Sequence, residues 1–181
     1  MRHLKKLVLF VMVGAVISFS SCSDDDGDGG GPVTAGAGTL VATVDGAAFQ
    51  SLDISSSATL ASQGQFDNLI IIASSVDATA FAITVFGYDG PGTYEFDGSI
   101  STGVNVASYT VTDVDLNNPQ NSTTEIWQAP YENLEVGSVT ITEETDTNIK
   151  GSFEFMAKNV NGDQSIIEVT NGSFDLSKQT L

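Results

Sequence analysis

Histidine is almost missing from this 181-residue chain; the one copy is His3. Cysteine is as scarce, with Cys22 alone. From residue 23 onward there is neither, which excludes Ser-His-Asp and Cys-His nucleophilic catalysis. It also excludes the usual zinc and transition-metal sites. No disulfide is available, so stability must come from packing. Basic residues are the third scarcity: six Lys and Arg stand against 23 Asp and Glu. Nucleic acid is therefore not an expected partner, because phosphate binding needs clustered Lys and Arg. Helix-period stretches are absent after residue 22. The apolar run at residues 7–20, LVLFVMVGAVISFS, is shorter than the ~20 residues of a bilayer-spanning helix.

That run has a purpose when its flanks are considered. Residues 1–6, MRHLKK, carry three of the six basic residues. A basic head, a short apolar segment and the small residues Ser20 and Ser21 make a secretion signal over residues 1–21. Cys22 follows at once. The order resembles the lipobox of bacterial lipoproteins, with Phe19 where that pattern prefers leucine. In that family the chain is cut before the cysteine and the thiol is acylated, a role suited to a nucleophilic thiolate. Ser23, Asp24, Asp25 and Asp26 then resemble the surface-export signal of Bacteroidetes-type lipoproteins. The resemblance implies a lipid anchor in the outer membrane and display at the cell surface. Gly27–Gly31 and Pro32 complete an acidic, flexible tether over residues 22–37. Asp24, Asp26 and Asp28 imitate a calcium loop, but its twelfth position is Ala35 and the required Glu is absent. Removing residues 1–21 leaves Lys150, Lys158 and Lys178 against all 23 acids, a net charge of −20. Such a charge favours solubility and repels acidic surfaces.

Residues 38–181 are long enough for one domain with a sizeable core. Their pattern is that of strands. TLVATV (39–44) alternates and meets Asp45-Gly46, the strongest short hairpin signal, since a type I′ turn needs positive φ at both central residues. AAFQSL (47–52) returns, and SATLAS (57–62) is a further strand. LIIIAS (69–74) and FAITVF (81–86) are apolar on both faces, which places them in the middle of a sheet. TYEF (93–96), VASYTV (106–111), SVTIT (138–142), IKGSFEFMA (149–157) and SIIEVTNGSFDL (165–176) follow. About ten short strands with short links predict an all-β domain: an antiparallel sandwich or flattened barrel, largely a meander. In 149–157 the odd positions, with Phe153 and Phe155, face inward. In 165–176, Ile167 and Val169 are odd but Phe174 and Leu176 are even. All four can face the core only if a bulge falls at Asn171-Gly172.

The stretches TLVATVDGAAF, GPGTY and GSVTIT…IKGSFEFMAKN…VTNGSFD resemble a family of uncharacterised Bacteroidetes lipoproteins, catalogued as a domain of unknown function. The resemblance spans most of residues 39–176. It implies an all-β lipoprotein, and its motifs are turns, glycines and core phenylalanines, so no catalytic residue carries over.

Three stretches offer chemistry. Asp113, Asp115 and Asn117 alternate as calcium ligands would, but Asn118 replaces the required glycine and the carboxylate arrives one position late, at Glu125. Turn formers holding a loop are the simpler reading. Trp127 and Tyr131, four residues apart, could stack on sugar rings; the alternative is that Trp127 is core or caps an open end. Glu143 and Glu144 could serve a glycosidase but fall in an expected solvated hairpin link. The leading expectation is a non-catalytic, lipid-anchored β-domain with a binding or structural role. It needs no cofactor, and its glycan or protein partner is open. The rivals are a barrel-type carrier of a small ligand, a glycan-binding module using Trp127 and Tyr131, and a hydrolase using carboxylates alone.

Overall fold

The computed structural model describes residues 34–64, 66–98 and 103–181. Asp45 and Gly46 both take positive φ, 47° and 82°. They close the two-residue turn that the sequence predicts between β1 (Thr39–Val44) and β2 (Ala47–Gln50). Nine further strands follow: β3 (Ser56–Gln63), β4 (Phe66–Ser74), β5 (Thr79–Tyr88), β6 (Gly92–Glu95), β7 (Val106–Asp113), β8 (Thr123–Ala129), β9 (Gly137–Glu144), β10 (Asn148–Asn159) and β11 (Ile166–Thr180). The fold is all-β, as expected. The strand beyond the expected ten is β8, whose apolar positions Ile126, Trp127 and Ala129 are too few to announce it.

Hydrogen bonding joins all eleven strands in one mixed sheet, which folds on itself into two layers. One has the order β2-β1-β11-β10-β9-β6, the other β3-β4-β5-β7-β8. The layers join at both ends. β8 meets β10 through Gln128 and Trp127 against Lys158 and Asn159. At the opposite corner, Lys178–Thr180 of β11 run parallel to Ala58–Leu60 of β3. Sandwich and flattened barrel are thus both apt: two packed layers whose ladder closes. The parallel pair departs from the all-antiparallel expectation. It arises because β11 is 15 residues long, enough to leave β10 and cross to the other layer.

A bulge makes that crossing compatible with a single core. Val169 pairs with Phe155 and Gly172 with Phe153, so β11 has one residue more than β10 over this interval. β1 sees the same excess, with Thr43 opposite Thr170 and Val41 opposite Ser173. Thr170 and Asn171 both avoid the core, and Ile167, Val169, Phe174 and Leu176 are all buried. The extra residue is Asn171, whose φ is 52°. Asparagine tolerates this left-handed conformation better than most side chains. Gly172 serves a different need, because a Cβ there would lie 2.6 Å from the Phe153 ring. Its cross-strand mirror is Gly151, opposite Phe174, where a Cβ would press on that ring. Each phenylalanine lies over a glycine on the neighbouring strand.

The core between the layers is aromatic. Phe81 of β5 meets Phe49 of β2 edge-on at 4.7 Å, and Phe153 and Phe155 of β10 at 5.5 and 6.2 Å. Phe96 packs on Phe155 at 5.7 Å. β4 and β5 do occupy the middle of their layer, and their inward residues Leu69, Ile71, Phe81, Ile83 and Val85 are fully buried. Their outward residues are a different matter. One outward row across the five strands reads Ser57, Ile72, Ala82, Ser108, Gln128, and the next reads Thr59, Ile70, Thr84, Val106. Ile72 is 47% exposed.

Gly172→Val is expected to destabilise the chain by about 1–3 kcal/mol, the cost of forcing atoms into a filled core. Asn171→Gly, which keeps the φ, is expected to change stability by less than about 1 kcal/mol. Urea unfolding of both variants measures this; equal midpoints would contradict the packing role of Gly172.

Candidate functional site

Cys22, Ser23, Asp24, Asp25 and Asp26 lie outside the described residues. The other residues singled out by sequence have definite places. Trp127 sits at the seam where β8 meets β10, half-buried, its indole N–H donating to Ser165 Oγ at 3.0 Å. The ring beside it is Tyr109, at 6.2 Å. Tyr131 is half-buried against the core. Both rings are partly buried against the core, Trp127 at the seam. Asp113 ends β7 opposite Thr123. Asp115 Oδ1 accepts the backbone N–H groups of Asn117 and Asn118, each at 2.9 Å, so its carboxylate holds the loop together. No group of three His, Cys, Asp or Glu side chains is placed to hold a metal ion among the described residues.

Glu143 and Glu144 do not lie in a solvated link, as expected; they end β9. A register shift near Thr142 leaves Thr142 and Glu143 both exposed and turns Glu144 inward. Two other irregularities do the same to its partners. Gly87, at φ 65°, shifts the β4–β5 register and buries Tyr88. The Asn171 bulge sets the even parity that brings Lys178 in. Tyr88 Oη then donates to Glu144 Oε2 at 2.7 Å, and Lys178 Nζ donates to Glu144 Oε1 at 2.9 Å. Burial pushes the Glu144 carboxyl up, but the bonds from Lys178 and Tyr88, and the ammonium charge, outweigh it and hold the group below its ordinary value. Burial, reinforced by the hydrogen bond to Glu144 and its negative charge, pushes the Tyr88 phenol well up. Every charged atom in the cluster has its partner. The arrangement ties β5, β9 and β11 and holds no poised acid or nucleophile.

A small space of about 170 Å³ opens beside Phe49, Thr79 and Tyr109 at one end of the core, and larger ones lie on the outer face. On the outer face of β9, β10 and β11 an open groove of about 400 Å³ is lined by Ser138, Thr140, Ser152, Glu154, Asn171 and Ser173, with Thr34 at its edge. Strand alternation places Ser138 and Thr140 of β9 beside Ser152 and Glu154 of β10. The bulge contributes Asn171. The chain entering the domain forms one side, where Ala35 donates its N–H to Ser173 Oγ at 3.2 Å. A second groove of about 250 Å³ shares Glu154 and adds Met156, Glu168 and Thr170. Hydroxyls, an amide and a carboxylate can donate to and accept from a neutral polar molecule. The sequence carries this groove only as Ser and Thr at outward strand positions, which acquire meaning once the strands are paired.

A closed, two-layered β-domain with polar grooves on its outer face is the class that fold and site define. The chain belongs to the family described as Domain of unknown function (DUF6252), whose match spans residues 37–175. No curated protein and no solved structure matches it.

The Glu144 cluster gives stability a pH dependence. Because the folded carboxyl titrates below its unfolded counterpart, the cluster's contribution is present above the unfolded carboxylate range, near 4.3, and is lost as pH falls through the folded value. Lys178→Met is expected to cost about 1–3 kcal/mol at pH 7, since it leaves a largely buried carboxylate without its cation. The same change is expected to flatten the stability profile between pH 5 and 3. Thermal unfolding across that range checks both; a parallel profile in the variant would remove Glu144 as the group responsible.

Proposed function

We propose that the chain is a lipid-anchored, surface-displayed β-domain that binds a neutral, hydroxyl-bearing ligand, a glycan by class, without altering it chemically. The groove over β9–β11 carries this reading. Its hydroxyls and the Asn171 amide match the alternating donors and acceptors of a saccharide, and it is open enough to admit a chain of residues. Glu154 is the one acid among its described lining residues, whereas glycoside hydrolysis in its usual forms takes two. The carrier reading has less support, because aromatic rings occupy the space between the layers. A site at Trp127 and Tyr131 has less support too, since both rings are partly taken up by the core. The anchor and export readings rest on the order Cys22, Ser23, Asp24, Asp25, Asp26.

Fatty-acid labelling of the wild-type chain and of Cys22→Ser tests the anchor: label is expected in the first and not in the second. A tag after Leu181 is expected to be accessible on intact cells, and accessibility only after lysis would place the domain inside the envelope. For binding, a glycan array is expected to yield a neutral ligand. Ser152→Tyr, at an exposed strand position, is expected to weaken binding at least tenfold, and Trp127→Phe to leave it unchanged. The reverse pattern would move the site to the β8 corner, and an array without binders would overturn the glycan class.

A further inference from the structure

Among the described residues, the outer face of β3-β4-β5-β7-β8 carries no charged side chain. The rows through Ser57–Gln128 and Thr59–Val106 contain hydroxyls, two isoleucines, one alanine, one valine and the Gln128 amide, but no Asp, Glu, Lys or Arg. Their neighbours along the strands, Ser74, Ala80, Thr110 and Ile126, continue the pattern. The rest of the surface makes this unusual, for the whole chain carries 23 acids and 6 basic residues. The opposite layer shows its charge openly, with Lys150 between Glu143 at 3.7 Å and Asp175 at 3.6 Å.

We infer that this face docks a second copy of the same chain, sheet against sheet about a two-fold axis. The argument is electrostatic first. Two strongly acidic copies repel at most approaches, and like charges brought together cost several kcal/mol. Face-to-face contact of two uncharged sheets brings no carboxylate over another. A two-fold axis needs one self-complementary patch, and a patch of alternating small hydroxyls and aliphatics is complementary to itself. Sheets pack face to face at about 10 Å when side chains of this size interdigitate. Size then sets the strength. Strands about 4.8 Å apart and rows about 6.8 Å apart give this face on the order of 500 Å² per copy, below the ~800 Å² of a standard interface. The pair is therefore weak in free solution. Anchoring both copies to one membrane, which rests on the function proposed above, raises their effective concentration and favours the pairing.

The domain lacks cysteine, and the unsubstituted chain serves as the blank for Cys22, so an introduced thiol reports the contact. In cells making the full chain, Ala82→Cys and Ser108→Cys, adjacent in the central row, are expected to give a disulfide-linked species of twice the chain mass on mild oxidation. Thr140→Cys on the opposite layer is expected to give at least tenfold less. Adding Ile72→Glu, or Thr84→Glu as an independent second variant, is expected to reduce the cross-link to the Thr140→Cys level while thermal unfolding stays cooperative. Equal cross-linking from both faces, no cross-link from the central row, persistence with both glutamates, or a product of another mass would each overturn the proposal. Fatty-acid labelling in the same cells reports the anchor separately, so a failure of anchoring is distinguished from a failure of pairing.

Discussion

Glu144 accepts a hydrogen bond from Tyr88 in one layer and from Lys178 at the corner where β11 leaves β10 for β3. None of the three side chains would reach the others in regular strands. Each is turned inward by its own irregularity: the Gly87 shift, the shift near Thr142 and the Asn171 bulge. A buried carboxylate is stable only when its partners are in place. The cluster therefore makes the three departures from strand regularity mutually dependent. With them in place, β11 can serve β1 and β10 along its first part and β3 at its end, and the ladder closes.

Closure determines where packing is tightest. The interior is filled by rings, and two of them, Phe153 and Phe174, are seated directly over Gly172 and Gly151. Close packing of this kind leaves lost contacts, not binding space, when it is disturbed. The outer faces are the part of the domain whose composition core packing does not prescribe.

Those faces are unlike. All three lysines of the described residues lie on β10 and β11, and each is paired with a carboxylate: Lys150 with Glu143 and Asp175, Lys158 with Glu132, Lys178 with Glu144. The hydroxyl-lined groove lies on the same layer. The other layer turns an uncharged sheet outward. One face carries hydroxyls and paired charges, the other hydroxyls and aliphatic side chains.

The sequence by itself determined the class of the fold. Period-2 alternation, the Asp45-Gly46 turn and the parity conflict between Val169 and Phe174 are local signals, and each has one physical resolution. They led to an all-β domain with a bulge at Asn171-Gly172, though the positive φ falls on Asn171 and the demand for space on Gly172. The absence of histidine and of a second cysteine narrowed the chemistry in the same direct way. What the tertiary structure decided depends on pairing at long range. Glu144 looks like a member of a solvated pair until strand register turns it toward Tyr88, 56 residues away, and Lys178, 34 residues away. Trp127 can be read as a binding platform or as a core ring until β8 meets β10 and seats it at the seam. Ser152 and Thr140 are unremarkable outward residues until their strands lie side by side and form one wall of a groove. Alternation states which residues face out; only the ladder states which of them face out together.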